Sequence, residues 1–199
     1  MSDREPFFNP ARVQDLNIKP GRRILVLSDI HGNLDYLKGV LRQTGFCSED
    51  ILIVDGDYME KGPDSLGVLR FLMELVSEGN TYVINGNCDD WQRFLFHDAR
   101  VEQHILKYLH HFHYGIIYEM LREQGMDPET LTELDSVRDK IYQAYKKEWD
   151  FIISRPHAIE TPHYIFTHAG MHPDRPLREH NAGELLVMEA EIERPRTLL

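Results

Sequence analysis

The chain has 199 residues, 42% of them hydrophobic, and a formal net charge of -11. That length can bury one sizeable core, and the acidic balance disfavours non-specific binding to nucleic acid or to anionic membranes. Only Cys47 and Cys88 are present and there is no long apolar run, which argues against a disulfide framework or a membrane span and points to a reducing cytoplasm.

Residues 1–21, with Pro6, Pro10 and Pro20, read as an irregular or short helical arm. Four short runs then have the apolar, β-branched or aromatic character of buried strands: Arg23-Ile24-Leu25-Val26-Leu27-Ser28, Ile51-Leu52-Ile53-Val54, Thr81-Tyr82-Val83-Ile84 and His163-Tyr164-Ile165-Phe166. Residues 34–41 and 66–75 carry apolar residues at helical spacing behind Asn33 and Asp64, two candidate N-caps. They are predicted to be crossover helices between parallel strands, with their leucines in the core. Residues 91–162 show a helical pattern in Phe94, Leu95, Val101, Ile105, Leu106 and Leu109, and again in Ile141, Tyr145, Trp149, Ile152 and Ile153. Pro128 near Gly125, and Pro156, mark turns. This stretch is predicted to be a helical insert of three or more helices, a cap within a single domain spanning 1–199. His104, His110, His111 and His113 would fan across helix faces, so packing is favoured over a metal site. Tyr108, Phe112, Tyr114 and Tyr118 likewise suit helix packing better than base stacking, and Glu184, Glu189, Glu191 and Glu193 suit a solvated helix face.

Each strand-like run ends at residues able to hold a divalent cation: Asp29-Ile30-His31-Gly32-Asn33, Gly56-Asp57, Gly86-Asn87-Cys88-Asp89 and His168-Ala169-Gly170. Ligands of open α/β sheets gather beyond the carboxyl ends of the strands, where the loops converge. Two cations held close together need a bridging carboxylate, flanking imidazole and oxygen ligands, and open positions for water and phosphate. Asp29, His31, Asp57, Asn87 and His168 supply that set. One such residue could merely cap a turn; five in register argue for a site.

The ordered motifs Asp-x-His-Gly-Asn, Gly-Asp-x-x-(acidic)-(basic)-Gly, Gly-Asn-x-(acidic) and His-Ala-Gly resemble the calcineurin-like metallophosphoesterases. Within them the chain is similar to the bacterial branch related to Ser/Thr protein phosphatases and diadenosine tetraphosphatases. The resemblance implies an α/β fold: a metallophosphoesterase-type sheet core with crossover helices, the helical insert, and a second sheet shortened or missing toward the carboxyl end. It implies two divalent metal ions, Mn or Fe first and Ni, Zn or Mg as further options. Asp29 and His31 would serve the first metal, Asp57 would bridge, and Asn87 and His168 would serve the second. The implied activity is hydrolysis of a phosphoester by a metal-activated water, on a phosphorylated small molecule, nucleotide or phosphoprotein.

Glu60 stands where the family usually has Asp, Lys61 where it has a phosphate-clamping Arg, and Cys88 where many members carry a general-acid His. Glu60 and Cys88 are therefore candidate catalytic residues beside Asp57 and Asn87, and Lys61 and Asn33 are candidate substrate-binding residues. A thiol is a poor imidazole substitute, which favours substrates with good leaving groups such as diesters, phosphoanhydrides or aryl phosphates. Family members also carry a further His after the His-Ala-Gly loop, often in Gly-His-Thr or Gly-His-Trp. Here only His172 and His180 follow His168, in neither segment. A catalytically impaired metal- or phosphate-binding regulatory protein, or a truncated family member, are the alternative readings.

Overall fold

A computed structural model of the chain describes residues 9–90, 105–107 and 109–187. In chain order it contains β1 (Val13–Asp15), β2 (Ile24–Leu27), α1 (Leu34–Thr44), β3 (Ile51–Asp55), α2 (Ser65–Ser77), β4 (Thr81–Ile84), α3 (Ile116–Glu123), α4 (Asp135–Ala144), α5 (Lys146–Ser154), β5 (Ala158–Glu160), β6 (Ile165–Thr167) and α6 (Ala182–Val187). Phe94, Leu95, Val101, His104, Tyr108, Glu189, Glu191 and Glu193 lie outside the described residues.

β2, β3 and β4 form a parallel sheet in that spatial order, with α1 and α2 as the connections. β3 is central and its side chains alternate between two cores. Leu52 and Val54 join the core under α1 and α2, built from Leu37, Leu66, Leu69 and Leu72. Ile51 and Ile53 face the other way, onto Leu16, Ile84 and Ile159. The period of two thus makes β3 the wall between a helix layer and a second sheet. Fully burying each such side chain contributes about 1.5–3 kcal/mol, so β3 anchors both layers.

The second sheet has the order β1-β5-β6, with β1 parallel and β6 antiparallel to β5. A second sheet, of three strands, is thus present among the described residues, and it corrects three expectations. The arm is not irregular throughout, because Val13 to Asp15 pair with Ala158 to Glu160. β5 lies inside the stretch assigned to the helical insert, whose last helix ends at Ser154. The runs around β2 and β6 are not fully buried, since both are sheet edges and expose Val26 by 46% and Ile165 by 43%. Strands of three residues are too short to show a period; their partners, not their own pattern, make them strands.

Both crossover helices form. The Asp64 carboxylate caps α2 by accepting from Gly67 N at 2.9 Å. Asn33 occupies the N-cap position of α1 without capping it, because its amide donates instead to the Ile30 and His31 carbonyls at 3.0 Å each. α3, α4 and α5, with Tyr145 between the last two, place Ile117, Met120, Ile141, Tyr145, Trp149 and Ile152 in the same core as Leu69 and Leu72 of α2. His110, His111 and His113 are exposed, and His113 meets Glu129 at 2.9 Å. Glu184 is not merely solvated: one oxygen meets Arg175 at 2.6 Å and the other accepts from Asn181 N at 2.9 Å. Among the described residues no helix is long and apolar enough to cross a membrane.

Candidate metal centre

Four loops meet at the carboxyl edge of the parallel sheet. The loop after β2 runs alongside the loop after β3: Asp29, His31 and Gly32 donate their N–H groups to the carbonyls of Gly56, Asp57 and Tyr58 at 3.2, 2.9 and 2.9 Å. Asp29, His31, Asp57, Glu60 and Lys61 all have φ between 47° and 65°, and only His113 joins them among described non-glycine residues. Left-handed backbone costs a non-glycine residue of order 1–3 kcal/mol and persists only where surrounding contacts dictate it. Five such residues in two adjacent loops mark this edge as the place where the fold holds strain. Two glycines are required there by space. A Cβ on Gly56 would lie 2.6 Å from the His168 ring, and one on Gly86 would collide with Asp57 Oδ1.

Asp57 stands at the centre, its side chain 4% exposed. Its Oδ1 accepts the Cys88 N–H at 2.8 Å and lies 3.3 Å from His168 Nε2. Its Oδ2 lies 3.7 Å from His31 Nε2. His31 Nε2 is also 3.5 Å from Asp29 Oδ1, and His168 Nε2 is 3.2 Å from Asn87 Oδ1. All five predicted ligands therefore converge around one carboxylate.

The donor set fits divalent cations. His168 Nδ1 is 2.9 Å from the Asp55 carbonyl and His31 Nδ1 is 3.2 Å from the Met59 carbonyl. A carbonyl can only accept, so each Nδ1 carries a proton and each ring points its Nε2 at the carboxylate and amide oxygens. Nε2 is therefore the ring nitrogen placed to bind a cation, and the oxygens around it are cation ligands as well. The same Nδ1–H to carbonyl bond is what fixes ring orientation in metal-ligating histidines. Behind the cluster, Asp55 Oδ1 is buried with no hydrogen-bond partner among the described residues, and burial raises the Asp55 pKa. Two ligand groups share Asp57: Asp29, Asp57 and His168 in one, His31, Asp57 and Cys88 in the other, each with its ligand atoms within 4.8 Å of one another.

Lys61 reaches into this cluster, with Nζ 3.3 Å from His31 Nε2 and 3.9 Å from Asp57 Oδ2. Partial burial lowers its pKa, but Cys88, Asp57 and Asp29 outweigh that and leave the ammonium above its ordinary value. Burial pushes the Cys88 thiol up to about 12, with help from the Asp57 carboxylate. Asn33 is exposed at the rim with its amide nitrogen committed to the loop.

Glu60 does not face the cluster. It is buried, accepts from Ile116 N at the start of α3 at 2.8 Å, and has a pKa raised to about 8 chiefly by burial. From α3, Glu119 reaches back to Ser65 N and Leu66 N at 2.8 and 2.7 Å. Two carboxyl groups thus clasp the insert to the loop after β3 and to the N-terminus of α2, each accepting from unpaired helix N–H groups. His172 and His180 stay outside the cluster: His180 accepts from His172 N at 2.9 Å through Nε2, and its Nδ1 faces Pro176 O at 3.1 Å.

Three supporting residues carried no role in the sequence reading. Asp89 is fully buried and ties two loops by accepting from Gly86 N at 2.8 Å and Met59 N at 3.1 Å. Ser28 Oγ donates to Asp29 Oδ2 at 2.5 Å, and Asp55 supplies the carbonyl under His168. The acidic position after Gly-Asn-x was visible as part of a motif; what it bonds was not.

Residues 22–189 match the model of a family described as calcineurin-like phosphoesterase. The serine/threonine-protein phosphatase 2 of Escherichia coli is 44% identical over 31% of this chain and 29% of its own length. The asymmetrical bis(5'-nucleosyl)-tetraphosphatase of Oceanobacillus iheyensis is 30% identical over 43% of this chain and 38% of its own. A solved structure assigned as a diadenosine tetraphosphatase superposes with a TM-score of 0.56 at 25% identity, over 89% of this chain and 63% of that one. The chain thus spans under two thirds of the length of these relatives.

Proposed function

We propose a function from the premise that this chain belongs to the calcineurin-like phosphoesterase family: it hydrolyses a phosphoester or phosphoanhydride bond at the Asp57 cluster, using two divalent cations, with Mn or Fe the preferred pair. The observation that carries the reading is the pair of Nε2 ring nitrogens, from His31 and His168, turned onto the two oxygens of one buried carboxylate. Divalent cations, when bound, supply Lewis-acid stabilisation of phosphoryl oxygens and lower the pKa of coordinated water.

The chain's own residues do the rest. Asp29, His31, Asp57, Asn87 and His168 hold the cations, and the left-handed backbone at Asp29, His31 and Asp57 fixes those three before any substrate arrives. Lys61, half exposed on a flexible stem, binds a phosphate oxygen as a point charge. Asn33 borders the entrance and lends its carbonyl side to the substrate. Glu60 positions the loop after β3 against the insert, and Asp89 holds that loop to the one carrying Asn87. Water adds to phosphorus and releases a proton to solvent, the bond to the leaving oxygen breaks, and the departing group takes up a proton from solvent.

Because no imidazole stands at position 88 to protonate an alkoxide, substrates with low-pKa leaving groups suit this site: phosphoanhydrides and aryl esters ahead of alkyl monoesters. Nucleotides with a polyphosphate chain fit that chemistry better than phosphoserine. The test is turnover of a dinucleoside tetraphosphate, an aryl phosphate and a phosphoserine peptide by stripped protein resupplied with Mn²⁺ or Fe²⁺. Hydrolysis in the order anhydride, aryl ester, phosphoserine supports the reading. Metal binding without turnover of any of the three would instead make the chain a binding protein.

A further inference from the structure

We propose that His31, Asp57 and Cys88 form a metal site with a thiolate ligand, and that the Lys61 ammonium holds the cation's place there until a metal enters. The inference rests on the function proposed above and adds a ligand to it, one that makes the two metal positions chemically unequal.

Three observations converge on the triad. A His31 ring nitrogen, an Asp57 oxygen and Cys88 Sγ all lie within 4.8 Å of one another. Ligands bound at about 2.0–2.3 Å to one ion are separated by somewhat less than this, so small side-chain rotations close the shell. Cys88 cannot drift from Asp57, because its own N–H donates to Asp57 Oδ1 at 2.8 Å. The third observation is Lys61. Its Nζ lies 3.3 Å from His31 Nε2 and 3.9 Å from Asp57 Oδ2, and it is close enough to Cys88 for the two groups to interact electrostatically. One ammonium therefore neighbours all three members of the triad, as a bound cation would. With its side chain 51% exposed, Lys61 is free to swing outward.

The chemistry separates the two positions. Asp29, Asp57, His168 and Asn87 offer only nitrogen and oxygen, a set that accepts Mg²⁺ and Mn²⁺. Imidazole, carboxylate and thiolate together prefer Zn²⁺, Co²⁺ or Fe²⁺. On binding, the Cys88 thiol proton passes to solvent, the sulfur donates its freed electron pair to the metal, and Lys61 leaves the triad with its charge available to a phosphate.

The test uses Co²⁺ as the probe on the whole chain. Wild-type protein saturated with Co²⁺ should show near-ultraviolet sulfur-to-cobalt charge-transfer absorption, which imidazole and carboxylate ligands do not give. Cys47→Ser should keep the band, and Cys88→Ser should lose it while retaining cobalt at the other position. Zn²⁺ affinity should fall at least about tenfold in Cys88→Ser, with Mg²⁺ affinity little changed. Lys61→Met should raise Co²⁺ affinity by removing the competing cation. Bound cobalt without the band in wild type, or a band that survives Cys88→Ser, overturns the inference. The wild-type spectrum decides even if a variant misfolds. Hydrolysis without the band would defeat this inference and leave the proposed function standing; the band without hydrolysis would do the reverse.

Discussion

Lys61 and Asp57 sit four residues apart on a loop whose backbone turns left-handed at both, and their side chains carry opposite charge into one cluster. The sequence made the ligands legible because each is a chemically distinctive residue just beyond an apolar run, and four such places in order leave few other readings. Glu60 was not legible in the same way. One methylene longer than the usual Asp, it reaches Ile116 N and spends its carboxylate on the insert, a contact that depends on a helix some fifty residues on. For Lys61, substitution by Met should raise KM for a phosphorylated substrate about tenfold, since a charge-assisted hydrogen bond is worth about 1.5–3 kcal/mol and this one is half exposed. Its kcat should change less. Steady-state kinetics with saturating metal checks this, and an unchanged KM would remove Lys61 from the phosphate subsite.

At the scale of elements, the loops hold their places through buried carboxylates and buried imidazoles. Asp89 compensates two buried N–H groups, so Asp89→Ala should destabilise the fold by about 2–4 kcal/mol in urea titration. Asp89→Asn, which keeps one acceptor oxygen, should cost clearly less. His157, at the entry to β5, accepts from Arg12 N at 3.0 Å through Nδ1 and so must stay neutral there. Burial, reinforced by Arg12, lowers its pKa from 6.5 to about 4. A depressed folded-state pKa means that the unfolded chain takes up the proton first. The stability linked to His157 is therefore complete above about pH 6.5 and declines as pH falls toward 4, by about 3 kcal/mol in all. The urea midpoint followed over that range should drop more steeply in wild type than in His157→Gln, and equal slopes would refute the assignment. Neither β1 nor β5 was legible as a strand beforehand: three residues show no alternation, and their pairing joins positions 13 and 158. The crossover helices were legible because the spacing of Leu66, Leu69 and Leu72 repeats over several turns.

Across the whole molecule, a helix layer, a parallel sheet and a second small sheet share the strand β3, whose alternate residues serve both cores. That layering delivers three of the four site loops from one sheet edge. The fourth, with His168, comes from β6 in the other sheet and is drawn over by its bond to the Asp55 carbonyl. The strand-end placement of the ligands was readable from the order of motifs, whereas the division of strands between two sheets depended on long-range pairing. On the function proposed above, the Asp57 cluster holds divalent cations and makes the chain a phosphohydrolase. The most direct test is to strip the protein of metal and resupply Mn²⁺, then measure dinucleoside tetraphosphate hydrolysis and bound metal together in wild type and Asp57→Asn. Turnover should vanish on stripping and return with metal in wild type. Asp57→Asn should bind less metal and fall at least about a hundredfold in kcat/KM. Hydrolysis that survives complete metal removal, or full activity in Asp57→Asn with metal still bound, would contradict the proposed function.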